Sequence, residues 1–156
     1  MMRLALFAAV ASAAAASLAA TLAGRVVKVA DGDTLTVLDA GKTQHKVRLA
    51  KIDAPEKSQA FGAASRKRLA AFVAGKDITV EWSEKDRYGR ILGTVFEGGR
   101  DVNLEMVKDG MAWHYKRYDN TEEYADAEAE ARRERRGLWR DANPTPPWEF
   151  RKSRRK

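Results

Sequence analysis

From Gly24 to Leu49 apolar residues tend to alternate with polar ones, at Val27 and Val29, at Leu35 and Val37, and at Val47 and Leu49. The turn formers Asp31-Gly32-Asp33 and Asp39-Ala40-Gly41 separate the three runs. A period of two sends successive side chains to opposite faces of a strand, so the segment predicts three antiparallel strands. The spacing then changes. Between Ser58 and Gly75 the apolar positions Phe61, Ala64, Leu69, Phe72 and Val73 fall near helical spacing, and a glycine stands where a helix would end. Alternation returns in Asp77 to Ser83 and Ile91 to Phe96, which flank the polar turn Glu84 to Gly89 and predict a hairpin. Asn103 to Asp109 and Glu122 to Arg136, each followed by glycine, predict a short and a long helix. Glu128 stands four residues before Arg132, a pairing that suits an exposed helix face.

Five strands with a helix between the third and the fourth give the order of an OB-type Greek-key β-barrel, here an α+β fold with three α-helices. Residues 24–140 form this domain. Residues 1–23 have a short basic start, an alanine-rich apolar run and small residues before Gly24, the pattern of a signal peptide. Cleavage before Gly24 is favoured, with Ala16 and Ala20 as alternative sites. The expected location is periplasmic or extracellular, with no stable membrane span once the leader is cut. An uncleaved N-terminal anchor would look similar. With no cysteine, the fold has no disulfide to rely on in an oxidising compartment. Residues 141–156 contain Asn-Pro-Thr-Pro-Pro-Trp-Glu-Phe and a basic end. They read as an extended tail, with a solvated terminus favoured over a phosphate contact.

The chain of 156 residues carries 29 Lys and Arg against 22 Asp and Glu, a formal net charge of +7 and a pI near 9.8. One core fits this length. The charge suits a polyanionic partner, nucleic acid ahead of an anionic membrane, and equally a merely soluble basic surface.

Three segments put charge where a core has no use for it. Asp31-Gly32-Asp33-Thr34 offers two carboxylates to a hard cation, although Asp-Gly is also a common hairpin signal. Arg48 to Glu56 holds a guanidinium that can clamp phosphate, and two carboxylates, Asp53 and Glu56, suited to ligating a metal and accepting a proton from water. Taken alone it reads as a surface ion pair at a strand end. Asp86-Arg87-Tyr88-Gly89-Arg90 places two guanidiniums and a phenol at a turn, all able to bond phosphate, but a polar hairpin tip explains the same residues.

Together, and in this order, the three segments resemble the staphylococcal nuclease-like (thermonuclease) family. Val102-Asn103, Lys108-Asp109-Gly110-Met111-Ala112 and Gly137-Leu138-Trp139 extend the likeness over about residues 24–140. The tail is similar to that of exported bacterial members. The resemblance implies a monomeric, calcium-dependent nuclease that hydrolyses DNA and RNA, preferring single strands, to 3′-phosphate products. It implies Ca²⁺ held by Asp33, Asp53 and the backbone carbonyl of Ala54, with Asp31 in an outer shell. Glu56 would be general base, and Arg48 and Arg90 would neutralise phosphoryl charge. Tyr88 and Tyr118 would contact the nucleotide phosphate, with Arg87 beside them. Lys116 stands where the staphylococcal enzyme has a tyrosine and Tyr115 precedes it, which leaves the base-stacking wall open.

Gly41-Lys42-Thr43 lacks the upstream glycine of a phosphate-binding loop, since Thr36 stands at that position. His114-Tyr115-Lys116 lacks the acidic partner of a phospholipase-type motif, and Thr121 stands in its place. The rival readings are a non-catalytic OB-fold nucleic-acid-binding module and a lipid-docking envelope protein. Both leave the acidic and arginine residues without a chemical purpose.

Overall fold

The computed structural model describes residues 18–155; most of the expected signal sequence, residues 1–17, lies outside the described residues. Strands β1 (Ala20–Asp31), β2 (Thr34–Leu38) and β3 (Gln44–Leu49) form an antiparallel meander. β4 (Ile52–Asp53) follows, then helix α1 (Gly62–Val73) and the hairpin of β5 (Asp77–Lys85) and β6 (Ile91–Glu97). A short β7 (Arg100–Asp101) leads into α2 (Val102–Lys108), then β8 (Trp113–His114) and α3 (Glu122–Arg133).

β1 is long enough to serve two neighbours. Its start pairs with β5, from Ala20 opposite Trp82 to Arg25 opposite Asp77, and its end pairs with β2. Register irregularities at Val26/Lys28 and Val29/Asp31 bend the strand between these two partnerships, as bulges do. The parallel pairing of Val47 to Leu49 on β3 with Ile91 to Gly93 on β6 closes the five long strands into the expected barrel. The inward positions Val37, Val47, Leu49, Val80 and Val95 are fully buried, and α1 covers one end with Leu69 and Val73. Burial of such side chains contributes roughly 1.5–3 kcal/mol each.

The structure departs from the sequence reading at several ends. α1 starts at Gly62, not Ser58, because two tight turns come first: Gln59 N–H donates to Glu56 O at 2.9 Å and Gly62 N–H to Gln59 O at 2.9 Å. Phe61 stands at φ 65° between these turns and the helix. α3 stops at Arg133, before the predicted Arg136, as Arg135 and Gly137 both take positive φ. The first strand begins at Ala20, four residues inside the expected leader, and Leu22 packs on the core.

The tail is the largest correction. It is not extended: after a 3₁₀ turn at Gly137–Arg140, residues Pro147–Ser153 form a fourth helix, α4. Proline at its first position needs no hydrogen-bond donor there, so a Pro-Pro-Trp sequence that cannot continue a helix can begin one.

Candidate active site

The turn from β1 to β2 presents Asp31 and Asp33. Asp33 N–H donates to Asp31 Oδ1 at 3.1 Å, and Asp33 Oδ2 accepts from Ala54 N–H at 2.7 Å. Arg48 lies directly across from Thr34 in the β2–β3 ladder. Its Nη2 stands 3.2 Å from both Asp33 Oδ2 and Asp53 Oδ1, and its Nη1 donates to the carbonyls of Leu49 at 2.6 Å and Ile52 at 3.0 Å. Asp53 reaches the same point from β4, which is paired with β8, and it is completely buried. Glu56 follows one short turn later with its side chain 35% exposed. The barrel therefore gathers Asp31, Asp33, Arg48, Asp53 and Glu56 from three separate stretches of sequence.

Gly32 has a steric reason to be glycine. A β-carbon there would lie within van der Waals overlap of Ser65 Oγ on α1 and 2.9 Å from the Ala54 side chain. Ser65 Oγ in turn donates to Met111 O at 2.7 Å. The Asp-Gly-Asp turn is thus pressed against the first helix, which fixes where its carboxylates point.

The electrostatics are those of a site short of positive charge. Burial, and then the charge of Asp33, push Asp31 up to about 7. Burial also raises Asp53, against the opposing pull of Arg151 and Arg48. Such shifts mark carboxylates whose ionised form is poorly compensated.

The Asp86–Arg90 turn makes a neighbouring but separate unit. Arg90 N–H and Nε donate to Asp86 at 3.0 and 2.7 Å, and Arg87 Nη2 donates to the Tyr88 hydroxyl at 2.8 Å. Burial raises the Asp86 carboxyl, but the Arg90 guanidinium and the turn amides outweigh it and hold the group below its usual range. Arg90 immediately precedes Ile91, which pairs with Val47 next to Arg48, so the turn rises beside the acidic cluster. Among the described residues Arg90 makes no hydrogen bond to that cluster. Tyr88 is exposed.

Tyr115 is tied to the β4 side by its N–H, which donates to Lys51 O at 2.8 Å. Its ring lies 4.8 Å from Tyr118 and 5.3 Å from Trp148 between centroids. Tyr118 is exposed, and Lys116 reaches the buried Glu128 at 3.2 Å.

Sequence reasoning missed Arg151 and Trp148. Arg151 of α4 places Nη1 3.0 Å from Asp53 Oδ1 and 2.8 Å from Glu56 Oε1, with Nη2 2.8 Å from Asp53 Oδ2. The one signal available was Pro147 followed by Trp148, a proline-initiated helix with an aromatic anchor.

The donor set suits a hard cation, since Asp31, Asp33, Asp53 and the Ala54 carbonyl all offer oxygen. Burial raises the carboxyls of Asp31 and Asp53, which a nearby cation would offset. Among the described residues no three acidic or histidine side chains converge on one point, because Ala54 N–H and two guanidiniums hold the oxygens of Asp33 and Asp53. By the chemistry of these oxygen donors, the residues fit a divalent cation.

A closed OB-type barrel that carries acidic and guanidinium groups on one rim defines the class: α+β barrels of the staphylococcal nuclease type. The family model described as staphylococcal nuclease homologue matches residues 46–141, and the chain belongs to that family. It is 50% identical over 128 residues to a protein of Haemophilus influenzae named "uncharacterized endonuclease", covering 82% of this chain and 72% of that one. An Escherichia coli protein of the same name is 47% identical over 135 residues, 86% of this chain and 88% of its own. A Shigella flexneri protein named "micrococcal nuclease" is 43% identical over 141 residues, 83% of this chain and 80% of its own.

Proposed function

We propose that the chain is an exported, calcium-dependent nuclease that hydrolyses DNA and RNA to 3′-phosphate products. The observation that carries this reading is the convergence of Asp33, Arg48 and Asp53 at a buried point, with Glu56 at its solvent edge. A binding module would gain nothing from the desolvation cost of burying these carboxylates.

Asp33, Asp53 and the Ala54 carbonyl would hold the cation, with Asp31 behind them. When bound, Ca²⁺ supplies positive charge against the non-bridging oxygens of the phosphate. Glu56, half in water, accepts the proton of an attacking water. Arg48, oriented by the carbonyls of Leu49 and Ile52, brings fixed positive charge to the base of the site. Arg90 brings it from the neighbouring turn. Tyr88 and Tyr118, both exposed, offer rings and hydroxyls to a strand crossing the rim, with Arg87 beside Tyr88 and Tyr115 behind Tyr118. A single strand, whose bases are free to stack, suits these groups better than a duplex. The enzyme acts as a monomer. Among the described residues no helix is long and apolar enough to cross a membrane.

The test is cleavage of single-stranded DNA by the purified chain in calcium, in magnesium and in chelator, beside Arg48→Ala, with the product ends analysed. Calcium-dependent cutting that leaves 3′-phosphates and is lost in the variant is expected. Tight binding without cutting would move the chain to the binding-module class.

A further inference from the structure

Arg151 comes from beyond the matched nuclease domain, which ends at residue 141, and yet it lies in the acidic site. Its two terminal nitrogens take both oxygens of Asp53 in a fork and one oxygen of Glu56. Asp53 Oδ1 also faces Arg48. Both oxygens of a carboxylate proposed to ligate metal are therefore engaged by guanidinium hydrogens. A bidentate guanidinium presents its positive charge in the plane of the carboxylate, where a cation would also approach.

Three contacts hold α4 over the site. Gln59 Nε2 donates to Thr145 O at 2.6 Å, Arg154 Nη1 to Ser58 Oγ at 2.5 Å, and the Trp148 ring lies 5.3 Å from both Trp113 and Tyr115. The first two partners belong to the turn that follows Glu56. A helix of seven residues is too short to be stable alone and stays folded through such contacts. The Arg151 side chain is 33% exposed and borders an open cleft of about 350 Å³, so it can leave without disturbing the barrel core.

The charge balance gives this arrangement its sense. Among the described residues, Asp31, Asp33, Asp53 and Glu56 meet two guanidiniums, those of Arg48 and Arg151. Removing Arg151 without replacement would leave a buried carboxylate partly unpaired, which is strongly unfavourable. Keeping it in place when a divalent cation arrives would set two like charges on the same oxygens.

We propose that α4 is a built-in latch whose Arg151 guanidinium occupies the cation position of the site, so that closing the latch and binding a divalent cation oppose each other. This rests on the calcium reading above. By reciprocity, whatever the closed latch costs the cation in affinity, the cation costs the latch in closure. Displacement of α4 also uncovers Tyr115 by withdrawing Trp148, so the site and its aromatic border would open together.

Calorimetric titration of calcium into the full metal-free chain, without nucleic acid, tests this against Arg151→Gln. The variant should bind calcium about tenfold more tightly or better. A second measurement needs no variant: hydrogen exchange of the wild-type amides in residues 147–153 should quicken when calcium is added. Equal affinities, weaker binding by the variant, or unchanged exchange would overturn the latch; weaker binding would make Arg151 a support of the site instead. No binding heat with either protein would refute the calcium site itself, and the latch with it, whereas equal affinities refute the latch alone.

Discussion

The Arg151 guanidinium lies across both oxygens of Asp53 at 3.0 and 2.8 Å, although 98 residues separate the two in sequence. Asp53 is thereby the hinge between the barrel and its C-terminal helix. Asp53→Ala removes a proposed metal ligand and the anchor of α4 at once. The calcium concentration needed for half-maximal cleavage should rise by tenfold or more, since an oxygen ligand is lost. A calcium titration of cleavage checks it, and a curve that overlays the wild type would remove Asp53 from the metal site.

Glu56 differs from Asp53 in being partly solvated, as a group that exchanges protons with water must be. Glu56→Gln should lower turnover by roughly 10² to 10⁴ while calcium affinity changes little. Single-turnover cleavage at saturating calcium, beside a binding titration, separates the two effects. Unchanged turnover would take Glu56 out of the mechanism.

The fit of Gly32 against α1 makes a prediction about stability as well as function. In Gly32→Ala the new methyl must displace Ser65, whose hydroxyl is bonded to Met111 O, or push the Asp31–Asp33 turn outward. Overpacking of this kind costs roughly 1–3 kcal/mol. Urea unfolding should show that loss, and the calcium requirement should rise, because the displaced turn carries two of the acidic groups. A variant with wild-type midpoint and calcium response would mean that α1 yields freely.

The barrel was legible because its strands are short, alternating and separated by turn residues, as in Leu35 and Val37 or Val47 and Leu49, and local periodicity reports burial directly. The acidic site was legible as composition, but its convergence was not. Nothing in the spacing of Asp33, Arg48 and Asp53 says that β2, β3 and β4 bring them within 3.2 Å. That follows from strand pairing and barrel closure, which are non-local. Asn103 illustrates the same limit: it is fully buried, accepts from Val95 N–H, and donates to Ala50 O and Gly93 O, knitting α2 to the barrel. The sequence shows only a polar residue at a helix start. The tail misled for a different reason. Proline forbids the continuation of a helix and so suggests extended chain, but the same ring favours a helix's first turn once Trp148 has a surface to dock on.

Asp119 links the loop before α3 to the buried ring of His114, whose Nε2 lies 2.8 Å from Asp119 Oδ2. Burial raises the Asp119 carboxyl, but hydrogen bonds from the Thr121 hydroxyl, His114 and the Thr121 amide outweigh it, and its pKa stays below the usual value of 3.8. A depressed native pKa means that the ionised form stabilises the fold. The contribution is complete above about pH 4 and is lost as pH falls through the lower native pKa. Asp119→Asn should therefore destabilise the protein at pH 7 by roughly 1.5–3 kcal/mol, the span for hydrogen bonds to a charged group. The difference from wild type should shrink below pH 4. Urea unfolding at pH 7 and pH 3 checks this, and a pH-independent difference would show that the charge of Asp119 contributes nothing.

β1 bears on where an exported chain can be cut. Ala20 to Ala23 pair with Trp82 to Thr79 on β5, and Leu22 packs against the core. Cleavage before Gly24 would remove four paired residues and uncover part of β5, whereas cleavage after Ala16 would leave the strand whole. An exposed strand edge invites pairing with other chains. If the chain is exported as proposed, the pairing of β1 predicts a mature start at Ser17 ahead of Thr21 or Gly24. Mass measurement of the chain recovered after export decides among the three. A mature start at Gly24 would mean that the barrel tolerates a shorter first strand. In that case a version produced without residues 1–23 should match the midpoint of one produced without residues 1–16 in urea unfolding.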